Sequence, residues 1–536
     1  MPEHRVPSRP PRGEWRLPPI VRDPDLLEPF LHDAAHFPGG RASGIATPST
    51  EAEIAALIDA VSAVLPIGAQ SSLTGGATPM GEVVLSTRRF IGIEDIGRER
   101  VRAGAGVTLA DLDAALDRSG RYYPPLPTFF GASIGGAVAT NAAGAATFKY
   151  GTTRDWVQAL TVVLSTGEVL DLARGAVRAH PDGYFELELR RGTVRVPIPT
   201  YPMPRVAKVS AGYFAQPDMD LVDLFVGSEG TLGIVTDVTL RVLAEKPAFC
   251  LALIPFAHRR DALVFARGIR DAARRTHQTN DPRGLDISAI EHMDARCLSL
   301  LREDGIDRLH GIRLGASASI GLLVTIELPA GMASAQAFDE IGRAREAGAR
   351  DTPLMRFCRA LDEAGVLDEV EIAVPGDRAR ADQLVAVREA VPAAVNARVR
   401  RAQLTVDPRI EKTAADMIVP FEAIDELLAI YDEGFRRRGL DAAVWGHISD
   451  GNVHPNVIPR SLAEVGAGKT AILEFGRETI RLGGSPLAEH GVGRNEVKQQ
   501  LLLDLYGRRG IDEMRGVKRA LDPEWKLSPG VLFPRE

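Results

Sequence analysis

Two histidines flank a tight-turn signal in the last fifth of the chain. Residues 446–454 read Gly-His-Ile-Ser-Asp-Gly-Asn-Val-His and lie between two apolar runs. An Asp-Gly pair between strand-like runs is a strong signal for a two-residue hairpin turn. With Asp450 and Gly451 as that turn, His447 faces His454 directly on one side of the hairpin, with Cβ atoms about 4.5–5.5 Å apart. Two imidazoles placed in this way can share one metal ion.

A carboxylate and a third imidazole follow some thirty-five residues later. Residues 486–494 read Pro-Leu-Ala-Glu-His-Gly-Val-Gly-Arg. Glu489 can complete a metal site while the adjacent His490 reaches a substrate, because glycines beside the pair let the backbone come close. Isolated histidines are more often surface or core residues, so the metal hypothesis depends on the whole set.

Three glycine-rich segments lie in the first half of the chain, at residues 66–76, 124–144 and 226–236. Small side chains let backbone N–H groups converge on phosphate oxygens, or let the backbone lie against a flat cofactor. The segments contain neither a Walker loop nor a GxGxxG motif. Each segment alone is equally compatible with an ordinary glycine-rich turn.

In this order, the three segments resemble the FAD-binding half of the vanillyl-alcohol oxidase superfamily, which is called the PCMH-type FAD domain. Within it, the chain most resembles the D-lactate dehydrogenase and glycolate oxidase flavoprotein family, from about Ala46 to the C-terminus. The resemblance implies an α+β fold. It consists of a PCMH-type FAD-binding domain of two α+β subdomains, followed by an α+β substrate or cap domain of the FAD-linked oxidase C-terminal type.

The resemblance also implies which residues contact FAD. In that family the first segment holds the pyrophosphate, the second follows the flavin and ribityl chain, and the third lies near the adenine. The implied contacts are Gly68, Ala69, Gln70, Ser71 and Ser72 in the first segment, Pro125, Ser133, Gly135, Gly136, Asn141 and Gly144 in the second, and Glu229, Gly233 and Ile234 in the third.

The first segment departs from the family pattern, which usually reads Arg-Gly-Gly-Gly-Thr-Gly. Here Ala69, Gln70 and Ser72 carry side chains where glycines are usual. We expect the hydroxyl groups and the Gln70 amide to donate to phosphate instead. Family members that tether the flavin often use a histidine in this loop, and this loop has none. We therefore expect FAD to be bound non-covalently.

For the second half, the resemblance implies a metal-dependent site. His447, His454 and Glu489 would bind a divalent metal (Zn, Mn or Fe), and His490 would act as the base. Arg388 matches the family's Arg-Glu segment and would bind the substrate carboxylate, which a guanidinium suits. The alternative for Arg388 is a solvated helix arginine.

The implied reaction is oxidation of a D-2-hydroxy acid, of the D-lactate, glycolate or D-2-hydroxyglutarate class, to the 2-oxo acid by metal-assisted hydride transfer to flavin N5. The electrons then pass to an external acceptor: an electron-transfer flavoprotein, a cytochrome, a quinone or an iron–sulfur subunit. One alternative is an alkyl-dihydroxyacetone-phosphate synthase-like transferase, which tends to carry histidine where this chain has Glu489. Another is a flavoprotein subunit of a membrane-associated complex.

The elements that must position these residues follow from local patterns. Thr50 caps a helix with acids in its first turn, and we expect that helix to run to about Val64. We expect strands at 83–86 and 101–104, a helix at 109–119, and a strand-turn-strand unit at 156–172.

Changes in residue composition and hydrophobic pattern divide the chain into three parts. Residues 1–35 are rich in Pro and Arg, and we expect a weakly ordered arm there. Residues 36–246 form the FAD-binding domain, with an insertion of hairpin type at about 173–203. Residues 247–536 form the C-terminal domain, with 440–536 returning to the flavin site.

Composition limits the classes of partner. A net charge of −7 without long single-sign runs argues against nucleic acid. We expect no signal peptide and no membrane span, because no apolar h-region and no run of about 18 apolar residues occurs. Three scattered cysteines without a CxxC pair fit a reducing cytoplasm, at most peripheral to the membrane. A homodimer is left open.

Overall fold

The computed structural model describes residues 4–346 and 351–534. Its strands are β1 (Arg5–Pro7), β2 (Gly44–Ala46), β3 (Val64–Ile67), β4 (Val83–Ser86), β5 (Ile93–Asp95), β6 (Arg100–Gly104), β7 (Val157–Val163), β8 (Val169–Ala173), β9 (Tyr184–Leu189), β10 (Gly192–Pro197), β11 (Ile234–Arg241), β12 (Ala248–Phe256), β13 (Ile287–Met293), β14 (Ile320–Leu328), β15 (Glu371–Ala373), β16 (Thr413–Ala414), β17 (Met417–Ile418), β18 (Ala442–His447) and β19 (Asn452–Val457). Its helices are α1 (Pro24–Leu27), α2 (Glu51–Ala60), α3 (Leu109–Asp117), α4 (Ile134–Thr140), α5 (Thr147–Tyr150), α6 (Thr153–Trp156), α7 (Leu221–Phe225), α8 (Arg259–Thr279), α9 (Ala295–Glu303), α10 (Ile306–Leu309), α11 (Ser334–Gly342), α12 (Pro353–Glu363), α13 (Arg378–Thr405), α14 (Ile424–Arg438), α15 (Leu462–Arg481) and α16 (Glu496–Leu521). The interleaving of short strands and helices is the predicted α+β class.

The chain folds into two compact units. The first contains the chain up to Gly144, Gly151–Ala244 and the residues from Leu487 onward; the second contains Ala145–Tyr150 and Glu245–Pro486. The change of unit at Ala244 lies two residues from the boundary that we predicted at 246. The segment after Leu487, which we assigned to the C-terminal domain and expected to return to the flavin site, packs with the first unit.

This packing rests on backbone hydrogen bonds between residues that lie far apart in the sequence. The N–H of Val64 donates to the carbonyl of Lys526 at 2.8 Å, and the N–H of Ser528 donates back to Val64 at 2.9 Å. The C-terminal segment therefore pairs with β3 of the first unit. Leu527 is fully buried in the same cluster as Leu57 and Val83.

The described residues of the first unit form three sheets. β2, β4 and β3 form a parallel sheet in that order. β5, β6, β11, β7 and β8 form an antiparallel sheet with β11 at its centre. The hydroxyl of Thr50 caps α2 by accepting the N–H of Glu53, as predicted, but the helix ends at Ala60 because β3 begins at Val64.

The third sheet of the first unit joins the N-terminal segment to the hairpin of residues 173–203. β9 and β10 are antiparallel, and β1 pairs with β9 in parallel. The segment that we expected to be a weakly ordered arm thus contains a strand. Its Arg9 also forms ion pairs with Glu51 at 2.6 Å and Asp171 at 2.5 Å, so charge pairing supplements backbone pairing.

The second unit is built on one antiparallel sheet in the order β15-β12-β14-β13-β18-β19-β16, and β17 also pairs with β19. The side chains of α9 and α13 pack with this sheet in a core that includes Leu298, Leu384, Val391 and Trp445. The sheet places β13 beside β18, so that Glu291 of β13 pairs with His447 of β18.

Cysteine placement agrees with the sequence patterns. Cys250, Cys297 and Cys358 are buried free thiols, as expected for small apolar side chains. In the described parts of the chain, no helix is long and apolar enough to cross a membrane.

A buried lysine ties the C-terminal segment to the first unit. Nζ of Lys518 lies 2.6 Å from the carbonyl oxygen of Thr231, 2.6 Å from a carboxylate oxygen of Asp522 and 2.7 Å from the carbonyl oxygen of Leu527. We expect Lys518→Met to lower the free energy of unfolding by about 3–5 kcal/mol, because it leaves the charge of Asp522 buried without its cation.

Urea unfolding of the full chain measures this loss. Lys469→Met is the matched control, because Lys469 pairs with Glu411 in a half-exposed position and should cost about 0–1 kcal/mol. Equal changes in the two variants would contradict the role given to Lys518.

Candidate active site

The three glycine-rich segments meet at α4 in the first unit. A Cβ atom built on Gly68 of the first segment would lie 1.9 Å from Oγ of Ser133, the residue that caps α4. In the third segment, the backbone N–H of Glu229 donates to the carbonyl of Ala139 near the end of α4, at 2.7 Å. Segments separated by up to 160 residues are thus neighbours in space.

Close approach of the backbone explains several of the glycines. A Cβ atom on Gly144 would lie 2.2 Å from the carbonyl oxygen of Leu126, and one on Gly135 would lie 2.7 Å from Cβ of Ala105. No alanine fits at either position without a shift of the backbone. Gly136 is less crowded, with Oγ of Ser133 at 3.1 Å as the nearest neighbour. The chain here presents a backbone without bulky side chains, which fits a flat cofactor.

Gln70 uses its side chain differently from our expectation. Its backbone is left-handed, with φ of 52°, the conformation that favours glycine. Its amide Nε2 donates to the carbonyl of Phe30 at 2.9 Å and to that of Ala77 at 3.4 Å. The amide nitrogen therefore donates to the protein's own backbone rather than to a phosphate, while the backbone N–H of Gln70 stays a candidate contact for FAD.

The other predicted residues of the first segment differ in exposure. Ala69 is exposed, whereas Ser71 and Ser72 are half-buried. Oγ of Ser72 accepts the N–H of Thr74 at 3.2 Å, so this hydroxyl also stabilises the loop. Pro125 of the second segment is buried.

Three further positions predicted to contact FAD have structural partners inside the first unit. Asn141 ends α4 in the left-handed conformation, and its Oδ1 accepts the N–H of Arg154 at 2.9 Å. A Cβ atom on Gly233 would lie 2.4 Å from Val162. Ile234 is buried in β11. Glycine and asparagine at these positions serve the loops and the sheet directly.

The hairpin of the second unit has a different register from the one we predicted. A 3-10 turn at Ile448–Asp450 lies between β18 and β19, and Gly451 follows with φ of 88°. His454 pairs with Trp445 rather than with His447, so the predicted direct pairing was wrong by two residues. His447 stays on the same face because residues two apart in a strand point the same way.

The two imidazoles are nevertheless neighbours, and each has a carboxylate beside it. Their ring centroids lie 5.6 Å apart, and both side chains are buried. Nδ1 of His447 lies 3.2 Å from Glu291, and Nδ1 of His454 lies 3.4 Å from Asp416. A carboxylate beside Nδ1 favours the tautomer whose Nε2 lone pair can bind a metal. This donor set fits a divalent metal.

Glu291 connects His447 to Arg388. Nη2 of Arg388 donates to Oε2 of Glu291 at 3.1 Å. Burial alone would raise the pKa of Glu291, but the charges of Arg388 and His447 outweigh it and lower that pKa to about 2. Arg388 is buried on α13 and is not a solvated helix arginine; the contact with Glu291 occupies part of its five-donor guanidinium.

Sequence reasoning missed both carboxylates. Glu291 lies on β13 and Asp416 directly before β17, each far along the chain from the histidine beside it. The one available signal was their type, since Glu291 and Asp416 are ionisable residues inside otherwise apolar strand-like runs.

The Glu489–His490 pair lies in the first unit and has a buried lysine beside it. Nζ of Lys208 donates to Oε2 of Glu489 at 2.9 Å, and the side chain of Lys208 is fully buried. Nε2 of His490 lies 3.5 Å from Oε1 of Glu489, and 29% of the His490 side chain is exposed. The pair thus combines a held carboxylate with an accessible imidazole. Lys208, a single charge in a run of small and apolar residues, was not predicted.

Glu229 also contacts the segment that carries His490. Its two carboxylate oxygens accept the backbone N–H groups of Val492 and Gly493, each at 2.8 Å. Removal from water raises the pKa of Glu229 to about 7 in spite of these two hydrogen bonds. Both side-chain oxygens, which we expected to lie near the adenine, are used within the protein.

Two family models match the chain. The model described as FAD binding domain matches residues 42–173, and the model described as FAD linked oxidases, C-terminal domain, matches residues 256–532.

Curated relatives match over nearly the whole chain. A D-lactate dehydrogenase of Anaerostipes hadrus is 28% identical over 95% of this chain and 93% of its own length. A D-2-hydroxyglutarate dehydrogenase of Xanthomonas citri is 31% identical over 96% of this chain and 94% of its own. A glycolate oxidase subunit of Bacillus subtilis is 28% identical over 88% and 84%.

Among solved structures, an alkyldihydroxyacetonephosphate synthase is similar in fold. Its TM-score is 0.59 at 16% identity, and the match covers 98% of this chain and 87% of the other. At this identity the likeness concerns the fold alone.

Proposed function

We propose, from the premise that the chain belongs to the FAD-linked oxidase family, that it oxidises a D-2-hydroxy acid to the corresponding 2-oxo acid. The chain is an FAD-binding oxidoreductase by that membership. The substrate class is supported by the names of the relatives, which act on D-lactate, glycolate and D-2-hydroxyglutarate.

The first unit would hold FAD along α4 and its neighbouring loops. Bound FAD supplies the acceptor for the hydride that leaves Cα of the hydroxy acid. The residues of these segments are small, and the glycines at 68, 135 and 144 let parts of the first unit pack closely against one another. No histidine occurs in the first segment, so we propose non-covalent binding.

A divalent metal, held by His447, His454 and Glu489, is part of the proposal. Such a metal lowers the pKa of a hydroxyl group bound to it. Support comes from the donor types and from the buried carboxylates beside both imidazoles, the arrangement that commonly orients metal-binding histidines.

His490 is the proposed general base and Arg388 the proposed contact for the substrate carboxylate. His490 is accessible, and an imidazole suits proton removal near neutral pH. In the proposed reaction the substrate hydroxyl would give its proton to His490, while Cα would lose its hydrogen as hydride and the C–O bond would become a carbonyl; bound FAD would supply the hydride acceptor. Repeated turnover would need an external electron acceptor, for which we propose an electron-transfer flavoprotein, a cytochrome, a quinone or an iron–sulfur subunit.

The single observation that carries the proposal is that the buried imidazoles of His447 and His454 each have a carboxylate beside Nδ1, in a chain of the FAD-linked oxidase family. Anaerobic mixing of the purified protein with D-lactate, D-2-hydroxyglutarate or glycolate tests it. We expect the visible absorbance of oxidised flavin to bleach with a D-acid and not with L-lactate. A flavin spectrum that no 2-hydroxy acid bleaches would overturn the proposal and favour the alkyl-transfer chemistry considered above.

The carboxylate beside His447 gives a separate prediction. We expect Glu291→Gln to weaken metal binding about 10–100-fold, because the amide no longer favours the tautomer that leaves Nε2 available. Metal content after dialysis against graded chelator, determined by elemental analysis, measures the change.

Glu371→Gln is the matched control for this variant. Glu371 is a buried glutamate of the same sheet that also pairs with arginine, namely Arg380 at 2.5 Å. It has no contact with either histidine among the described interactions, so its variant should keep the wild-type metal content. Equal metal content in both variants would contradict the role of Glu291.

A further inference from the structure

Glu229 adopts a backbone conformation that its residue type disfavours. Its φ is 52°, in the left-handed region, where a non-glycine residue is uncommon and is held by its surroundings. Gly227 and Gly230, on either side, have φ of 83° and 70°. Glycine would adopt this conformation without strain, so a glutamate at this position indicates a specific role for its side chain.

The task is to bind the backbone that follows His490. Two N–H groups, of Val492 and Gly493, converge on the two oxygens of one carboxylate. The carboxylate lies against a glycine of this loop: a Cβ atom on Gly491 would lie 2.8 Å from Oε1 of Glu229, and the φ of 74° at Gly491 also favours glycine. From the other side, Nζ of Lys498 donates to the carbonyl of Gly491 at 3.3 Å.

The backbone of the same residue holds a second part of the site. The N–H of Glu229 donates to the carbonyl of Ala139, close to the end of α4. The second glycine-rich segment, which contains α4, is the proposed support of the flavin. One residue therefore contacts both the segment assigned to the cofactor and the loop of the assigned base.

We propose that Glu229 is a positioning residue, which fixes His490 relative to α4 through the backbone of residues 491–493. This role rests on the proposed function, in which His490 takes the hydroxyl proton and α4 supports the flavin. It differs from a contact with the cofactor, because both oxygens of Glu229 bind the His490 loop.

The chemistry of the contact requires a carboxylate. Two donors need two acceptor oxygens, and a glutamine side chain offers one oxygen and one NH₂ group. Glu229→Gln keeps the size of the side chain but turns a donor toward one of the two N–H groups. The loop should then loosen while the hydrophobic packing of the first unit stays the same.

Two measurements on the full-length, FAD-loaded protein test the proposal. In Glu229→Gln we expect faster amide hydrogen exchange in residues 490–494. We also expect flavin reduction by D-lactate or D-2-hydroxyglutarate, whichever reduces the wild type, to be slower by about 10–100-fold at saturating acid. The acid concentration for half-maximal rate should change little, because a displaced base affects the reaction step and not substrate binding.

Asp220→Asn is the matched control. Asp220 is a buried carboxylate of the same unit whose two oxygens also accept backbone N–H groups, from Val222 at 2.9 Å and Gly175 at 2.6 Å. It has no described contact with residues 487–494. Its variant should leave both the exchange of the His490 loop and the rate of flavin reduction unchanged.

A shorter carboxylate covers the case in which Glu229→Gln does not fold. Glu229→Asp keeps both acceptor oxygens, but its side chain is one methylene shorter and should no longer reach both backbone N–H groups. We expect the same increase in exchange and the same loss of rate. Unchanged exchange at 490–494 in both variants, or equal losses of rate in Glu229→Gln and Asp220→Asn, would overturn the positioning role.

The two proposals fail in different ways. If no 2-hydroxy acid reduces the wild-type flavin, the proposed function fails, while the exchange measurement still tests whether Glu229 holds the loop. If the wild type is reduced and Glu229→Gln reacts at the same rate, the function stands and the positioning role is overturned.

Discussion

Replacement of His490 by glutamine should slow the reduction of bound flavin by a D-2-hydroxy acid about 10²–10⁴-fold, the usual range for loss of a general base. Glutamine keeps a polar side chain of similar length but cannot take a proton at neutral pH. FAD content should be unchanged, because His490 lies outside the three segments assigned to the cofactor. Stopped-flow absorbance under anaerobic conditions measures the rate.

A second histidine of the first unit serves as the control. The side chain of His180 is 28% exposed, close to the 29% of His490, and it stacks on Tyr184. The flavin of His180→Gln should therefore be reduced by the D-2-hydroxy acid at the wild-type rate. If the two variants are equally slow, or if His490→Gln reacts normally, His490 is not the base.

If the proposed metal is bound, its removal should have an effect of similar size. Treatment with a chelator is expected to lower the rate of flavin reduction more than about 10²-fold, because the hydroxyl proton then has to leave without a Lewis acid beside it. Addition of Zn²⁺ or Mn²⁺ should restore the rate in the wild type. In His454→Ala the rate should stay low at any practical metal concentration, since one imidazole ligand is missing.

Metal content, determined by elemental analysis, separates this loss from a folding defect. His292 provides the control, because it is as buried as the proposed ligands and lies on β13 next to Glu291. Adjacent residues of a strand point to opposite faces, so His292 faces away from Glu291 and His447. His292→Asn should retain metal, whereas His454→Ala should not. Full activity of metal-free protein would remove the metal from the mechanism.

Local sequence patterns predicted much of the architecture. The hydroxyl of Thr50 starts α2, strands occur at Val83–Ser86 and Arg100–Gly104, and the family assignment followed from the order of three glycine-rich segments. These features depend on residues that are near one another in the chain, so capping, alternation and turn chemistry are enough to find them.

The hairpin of His447 and His454 marks the limit of local reasoning. Asp450 and Gly451 do lie in a turn, but three residues before Gly451 form a 3-10 turn and shift the pairing by two. A shift by two keeps both side chains on one face, whereas a shift by one would have separated them. The two imidazoles therefore stay adjacent although the predicted register was wrong.

The sequence by itself determined the family, the α+β class and the residue types of the candidate site. Only the tertiary structure placed Glu291 and Asp416 beside the two histidines, Lys208 beside Glu489, and Glu229 against the backbone after His490. It also assigned the chain after Leu487 to the first unit. The physical reason is that a charged or polar group is held by the groups that tertiary packing brings next to it. Partners that lie between 38 (454 − 416) and 281 residues apart leave no pattern in local spacing.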